Sequence, residues 1–319
     1  MTKTALLFPG QGAQAVGMGR EIAQAWSVAA ETFRLASELL DLDLEQLCFE
    51  GPPEALSASD IAQPAILTVS VATLRALQQD GQAPDVAGAA GLSLGEYSAL
   101  VAAGALEFEE AVRLVRHRGL YMQEACEANP GTMYSILGLQ DAEVERACEE
   151  ARRRTGGRVW PANYNCPGQV VLSGEEDAAA CAAEICNSVG ARRAIELDVA
   201  GAFHTPLMRP AAEKLAAHLA AVEIRKPRFP VVANVTASPT DEPDEIRGLL
   251  LRQVTSPVRW ADSMRWLIAQ DVQSCSEIGP GRVLQGLLRR IDSSLDCQTV
   301  NTPDDLRQCV QTWQGGDDQ

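Results

Sequence analysis

The stretch Val86-Ala87-Gly88-Ala89-Ala90-Gly91-Leu92-Ser93-Leu94-Gly95-Glu96-Tyr97 changes character at its centre. Val86 to Gly91 is a run of small residues and reads as a strand squeezed between neighbours. Glu96 to Ala103 reads as a helix. Between them Gly91-Leu92-Ser93-Leu94-Gly95 matches G-x-S-x-G, which demands a serine on a sharp strand-to-helix turn. Glycines on each side let strand and helix approach closely. The helix N-terminus favours negative charge developing at the hydroxyl, and the Leu94 N–H points where an oxyanion would form. A tight structural turn with a bystander serine is the competing reading of these residues taken alone.

Outward from this turn the alternation continues. Thr4 to Phe8 reads as a buried strand ended by Pro9-Gly10. Residues around Ile22 to Leu47 read as helical, and Pro64 to Gln79 as another helix with Ile66, Leu67, Val69, Val71, Leu74 and Leu77 as its apolar set. This is an α/β layer pattern. The middle differs: a strand at Met133–Leu139, a helix at Asp141–Arg154, strands at Val159–Tyr164 and Gln169–Ser173 around Asn165-Cys166-Pro167-Gly168, a helix at Glu175–Val189 and a strand at Arg193–Val199. The order β-α-β-β-α-β is that of a ferredoxin-like unit. The expected organisation is therefore an α/β domain made of residues 1–127 and 201–319, with a small ferredoxin-like domain inserted at 128–200. There are no internal repeats, and the tail Gln314–Gln319 is expected to fray.

Composition narrows the function. The chain has 319 residues, 46% hydrophobic and 22% charged, with a formal net charge of -16. That charge argues against nucleic acid or an anionic membrane as a general partner. The nine cysteines are odd in number, scattered, and never spaced C-x-x-C, which fits reduced thiols in a cytoplasm and neither a disulfide framework nor a zinc site. The apolar stretch at the N-terminus is too short for a signal peptide and is broken by Pro9. No run approaches the ~18 apolar residues of a membrane span.

A serine nucleophile needs a base, and the sequence holds three histidines. His117 falls on a solvated helix face with Arg113 and Arg116. His218 sits at the edge of the Leu215-Leu219-Val222 stripe. His204, in Gly201-Ala202-Phe203-His204-Thr205-Pro206, follows a predicted strand and precedes a helix that Thr205 can cap and Pro206 can begin. Elimination favours His204. Residues 109–126 read as one helix, with Val112, Leu114, Val115, Tyr121 and Met122 on one side and Arg118 inside that arc. An inward guanidinium needs an anion. Two are open: an internal carboxylate such as Glu96, or a carboxylate on a substrate held in a bidentate pair. Gly10-Gln11-Gly12-Ala13-Gln14-Ala15 loosely fits a dinucleotide loop, but the region Ala29 to Leu40, where an acid-ended second strand should lie, reads as helix. The two glycines could instead present the Gln11 N–H as a second oxyanion donor.

Taken together, these residues resemble the malonyl-CoA:acyl carrier protein transacylase family of bacterial type II fatty-acid synthesis. The resemblance runs from Leu7 to about Arg290. It is carried by Phe8-Pro9-Gly10-Gln11-Gly12, Gly91-Leu92-Ser93-Leu94-Gly95-Glu96-Tyr97, Arg118-Gly119, Met122-Gln123-Glu124-Ala125, Ala162-Asn163-Tyr164-Asn165-Cys166-Pro167-Gly168-Gln169, Gly201-Ala202-Phe203-His204, Pro257-Val258-Arg259-Trp260 and Glu277-Ile278-Gly279-Pro280-Gly281. It implies an α/β-hydrolase-like core with a ferredoxin-like insert. It implies Ser93 as the acylated nucleophile, His204 as its base, Arg118 as partner of the malonyl carboxylate, and Gln11 and Leu94 N–H groups as the oxyanion hole. The backbone carbonyl of Gln253 is expected to orient the histidine. Phe203, matching a position tied to malonyl over methylmalonyl selection, is expected to line the pocket with Met122 and Asn163.

The implied substrates are malonyl-CoA and the phosphopantetheine thiol of acyl carrier protein, with no bound cofactor, no metal, and a cytoplasmic monomer as the working form. Many family members have histidine where this chain has Leu92, and often serine at Thr205. An acidic carrier would need a basic patch, for which Arg152-Arg153-Arg154, Arg192-Arg193 and Arg225-Lys226 are candidates beside the plainer reading of solvated surface charge. A serine esterase or thioesterase, and a non-catalytic carrier-docking protein, are the rival readings.

Overall fold

Ala5 to Phe8 of strand β1 (Lys3–Phe8) are buried, because this strand lies in the middle of a sheet. The computed structural model describes residues 3–81 and 84–314; the tail expected to fray lies, beyond Gln314, outside the described residues. The further strands are β2 (Asp85–Gly91), β3 (Thr132–Leu137), β4 (Val159–Cys166), β5 (Gln169–Gly174), β6 (Arg193–Glu196), β7 (Val231–Ala233), β8 (Ser238–Pro239), β9 (Ser274–Ile278) and β10 (Asp296–Val300). Six of them form one sheet in the order β10-β9-β1-β2-β7-β8. All neighbours in it run parallel except β8, which is antiparallel to β7. The loops leaving β1, β2 and β7 therefore emerge at one edge, where ligand sites of parallel sheets collect.

The other four strands make a separate antiparallel sheet in the order β4-β5-β3-β6. Its two helices, Asp141–Thr155 and Glu176–Ser188, share a second core with Ile136, Val170 and Leu172. The two sheets are tied by β4: Tyr164 N–H donates to the Val258 carbonyl and Val258 N–H to the Ala162 carbonyl, both at 2.9 Å.

Several elements differ from the sequence reading. The span Ile22–Leu47 is three helices, Arg20–Ala25, Ser27–Leu40 and Leu44–Glu50. Trp26 is extended between the first two, and Asp41 turns left-handed (φ 49°) to end the second. Asp43 then caps the third through Gln46 N–H at 2.9 Å. With neither glycine nor proline between them, the only mark of a break in the pattern is Asp43, a capping residue with Gln46 three positions on. The helix expected from Pro64 begins at Ser59. Pro64 lacks the N–H that would bond the Asp60 carbonyl one turn back, and Arg116 Nη1 donates to that carbonyl at 2.6 Å instead. Strand β3 stops at Leu137 because Gly138 adopts φ 95°. Strand β6 ends at Glu196, short of Val199; Leu197 N–H still bonds the Met133 carbonyl of β3 at 2.9 Å, and residues 198–200 run on beyond the sheet.

The nucleophile turn explains its glycines. A Cβ on Gly91 would lie 1.9 Å from the Gly95 carbonyl carbon, and one on Gly95 would lie 2.1 Å from the Phe8 oxygen. Neither neighbour is a flexible side chain. Gly95→Ala is therefore expected to cost at least about 3 kcal/mol of stability, read as a lowered denaturant midpoint. A midpoint equal to that of the parent would show that the turn has slack.

Candidate active site

Ser93 stands two residues beyond the end of β2, at φ 52°, a conformation that costs a residue with a Cβ about 1–3 kcal/mol and persists only where surroundings impose it. Four bonds impose it. Ser93 N–H donates to Asn234 Oδ1 at 2.7 Å, and Asn234 Nδ2 donates to the Gly91 carbonyl at 2.7 Å. The Ser93 carbonyl accepts from Gln253 Nε2 at 2.9 Å and from Glu96 N–H at 3.1 Å. Asn234 follows β7 and Gln253 ends the helix Pro243–Gln253, so the turn is clamped by groups remote in the chain.

His204 is also left-handed, at φ 59°. It was expected just after the last strand of the inserted unit, Arg193–Val199, and it lies in the loop that follows β6, which belongs to the antiparallel sheet. Thr205 holds this loop by donating to the Ala202 carbonyl at 2.8 Å while accepting from Leu207 N–H. His204 Nε2 is 2.8 Å from Ser93 Oγ, and Nδ1 is 3.0 Å from the Gln253 carbonyl. A carbonyl only accepts, so Nδ1 carries the proton and Nε2 is free to take the serine's.

Burial, then the nearby Arg118 charge, push the His204 pKa from 6.5 down to about 4. The neutral base therefore persists through mildly acidic solution. Labelling of Ser93 by a neutral fluorophosphonate is expected to hold level as pH falls through 6.5 and to drop only on approach to about 4; half-loss near 6.5 would contradict this. His204 contributes stability present above 6.5 and lost as pH falls toward 4. Glu96, whose carboxyl burial pushes up from 4.5 to about 7, has the opposite sign: its contribution is present below 4.5 and lost as pH rises through 7.

Arg118 projects inward from the helix Phe108–Ala128 and is 1% exposed. Nη1 donates to Gln63 Oε1 at 2.6 Å, and Nη2 to Ser93 Oγ at 3.0 Å and Gln253 Oε1 at 2.9 Å. Its acceptors are neutral, and the Glu96 carboxylate suggested as a partner reaches it only through the Gln253 amide. Tyr97 lies beneath the guanidinium, 5.5 Å from its centre.

Ser93, His204 and Arg118 open onto one cavity of about 450 Å³ at the seam of the two sheets. Gln11, Met122, Asn163 and Phe203 line it, as does Leu92, and residues 197–200 close its far side. Leu94 is buried and does not line it. Among the described residues the N–H groups of Gln11 and Leu94 donate to nothing else in the fold. A hydroxyl, a proton acceptor and an unneutralised guanidinium on one wall suit acyl transfer of a group that bears its own carboxylate.

Residues 5–302 match the acyl transferase domain family. The malonyl CoA-acyl carrier protein transacylase of Escherichia coli K12 is 46% identical over 304 residues, covering 95% of this chain and 97% of that one. That of Bacillus subtilis 168 is 45% identical over 312 residues, covering 98% of each. The chain belongs to the malonyl CoA-acyl carrier protein transacylase family. Solved structures agree in fold. An acyl carrier protein S-malonyltransferase from Vibrio cholerae superposes with a TM-score of 0.93 at 44% identity, over 97% of this chain and all of that one. A malonyl-transacylase solved in complex with its type II polyketide acyl-carrier protein gives 0.94 at 43%, over 98% and 100%.

In this transacylase-family chain, three contributors to the site escaped the sequence reading. Gln63 was hidden because the helix was begun one residue too late to include it. Asn234 and the side chain of Gln253 bear on the turn from far away in sequence. Their only sequence signal is a polar residue where burial is expected, and both are 0% exposed. His117 and His218, set aside separately, stack at 3.9 Å between their rings, and Tyr121 bonds His218 at 2.9 Å; neither approaches Ser93. Of the basic clusters, Arg153 and Arg154 pair with Glu150, Arg225 with Glu107 and Glu223, and Lys226 with Asp241. Among the described residues Arg192 and Arg193 form no ion pair. All nine cysteines are free thiols. Among the described residues no helix is long and apolar enough to cross a membrane.

Proposed function

We propose that this chain moves a malonyl group from coenzyme A to the phosphopantetheine thiol of acyl carrier protein through an ester on Ser93. The observation that carries the reading is Arg118, a buried cation bonded to neutral acceptors only, with one nitrogen on the same Oγ that faces His204. His204 Nε2 takes the Ser93 proton as Oγ attacks the thioester carbonyl. The Gln11 and Leu94 N–H groups hold the resulting oxyanion, each donor worth about 3–4 kcal/mol in comparable sites. The imidazolium returns the proton to the departing CoA thiolate. The carrier thiol then attacks the ester, gives its proton to His204, and Ser93 recovers it as the malonyl thioester leaves. Arg118 holds the malonyl carboxylate, and Phe203, Met122 and Asn163 shape the acyl pocket. CoA enters as substrate, and the reading includes no resident cofactor.

The same reading takes 1–127 with 201–319 as an α/β-hydrolase-like catalytic unit and 128–200 as a ferredoxin-like insert. The parallel order β9-β1-β2-β7 and the order β4-β5-β3-β6 with two helices support it. It places the enzyme in the cytoplasm as a monomer. For the acidic carrier we favour Arg192-Arg193, which form no ion pair among the described residues. Reversing both charges is expected to raise the KM for carrier protein by about tenfold and to blunt its salt dependence. Malonyl-enzyme formation from CoA should be unaffected; equal KM values would dismiss this face.

Intact-mass measurement after malonyl-CoA, then after carrier protein, tests the whole. A malonyl adduct that passes to the carrier is expected. Free malonate as the main product would make the protein a hydrolase, and no adduct at all would make it a docking module.

A further inference from the structure

Glu96 is 3% exposed and lies one helical step beyond the nucleophile turn. Its Oε2 accepts from Gln253 Nε2 at 2.7 Å and from Asn234 N–H at 3.0 Å. They belong to the two residues whose side chains clamp the Ser93 turn, Asn234 meeting Glu96 through its backbone and Gln253 through its side chain, and Gln253 is also the residue whose amide oxygen holds Arg118 at 2.9 Å. A glutamine amide has nearly the same shape when turned end for end, so packing alone does not choose its orientation. Its two ends face opposite demands here. One side offers donors from Arg118; the other offers acceptors, the Ser93 carbonyl and Glu96.

We propose that Glu96 is a positioning residue that fixes the Gln253 amide so that its oxygen, not its nitrogen, meets Arg118 and holds the guanidinium beside Ser93. The proposal rests on the malonyl-transfer reading and deepens it. With Glu96 in place the amide nitrogen has two acceptors to satisfy, and reversal would press an N–H₂ against the guanidinium while leaving a carbonyl against a carboxylate. Glu96 reaches Arg118 only through this amide and does not pair with it directly. The guanidinium thus stays buried yet able to exchange a neutral acceptor for a substrate carboxylate, which a direct Glu–Arg pair would resist. An uncharged glutamine at 96 can turn donors of its own toward Gln253, which leaves only the Ser93 carbonyl and Arg118 to hold the amide in one orientation and weakens that preference.

The test compares the full-length parent with Glu96→Gln, Gln253→Leu and the double variant. Gln253→Leu keeps the backbone carbonyl that faces His204. Three rates are read: acylation by malonyl-CoA, acylation by acetyl-CoA, and labelling by a fluorophosphonate, which needs Ser93 and His204 but no carboxylate clamp. Glu96→Gln is expected to lower kcat/KM for malonyl-CoA by about tenfold or more, mainly through KM, and the other two rates by less than about threefold. Because Glu96 acts through Gln253, adding Glu96→Gln to Gln253→Leu should change the malonyl-to-acetyl ratio no further. Multiplying effects in the double variant, an unchanged ratio in Glu96→Gln, or equal loss of all three rates overturns the proposal. A parent that reacts with the fluorophosphonate but takes no malonyl sinks the functional reading instead.

Discussion

Ser93→Ala is expected to abolish covalent capture of malonyl and to lower transfer to carrier protein by at least about 10⁴-fold, the scale on which serine nucleophiles fail when their oxygen is removed. The change deletes one atom, but that atom receives the Arg118 Nη2 bond at 3.0 Å and faces His204 Nε2 at 2.8 Å. The clamps on the turn act on the backbone of residue 93 and on Gly91, so alanine keeps the fold. It also relaxes nothing at φ 52°, since alanine has a Cβ too. Intact mass after malonyl-CoA reads the result directly. A persisting adduct of malonyl mass in the alanine variant would place the ester elsewhere and remove the basis of the mechanism.

Arg118→Ala should alter selectivity more than reactivity. Removing the partner of a buried carboxylate costs about 3–5 kcal/mol, or ~10²–10⁴-fold in kcat/KM for malonyl-CoA. Acetyl-CoA has no carboxylate to lose, so its rate should fall far less, and the malonyl-to-acetyl ratio should drop by at least about 10²-fold. Two effects compete on the acetyl side. The variant loses a donor to Ser93 Oγ, which slows attack. It also frees His204 of a nearby positive charge, one of the causes holding its pKa low, which makes the base stronger. A ratio equal to that of the parent would show that the guanidinium is structural.

Ser93, His204 and Arg118 were legible for different physical reasons. The serine was visible because a sharp strand-to-helix turn needs glycine at two fixed offsets, and the close approaches at Gly91 and Gly95 are that requirement in atoms. The arginine was visible because helical periodicity of 3.6 put a charge inside an apolar arc. The histidine was found by elimination among three. The strand expected before it is β6, which ends at Glu196 rather than Val199, so His204 stands on a longer loop than the pattern showed. Helix breaks at Trp26 and Asp41 were invisible because they come from backbone conformations that ordinary residues adopt under tertiary constraint.

The local code thus determined the elements that repeat with a period and the turn that only glycine can make, because each is decided by neighbours a few residues apart. Tertiary structure alone decided what surrounds the reacting atoms. Asn234 and Gln253 act on Ser93 across 141 and 160 residues, and Gln63 meets Arg118 across 55. Such contacts leave no spacing in a sequence. They arise when parallel strands bring their C-terminal loops to one edge and buried polar groups, denied water, must find one another there.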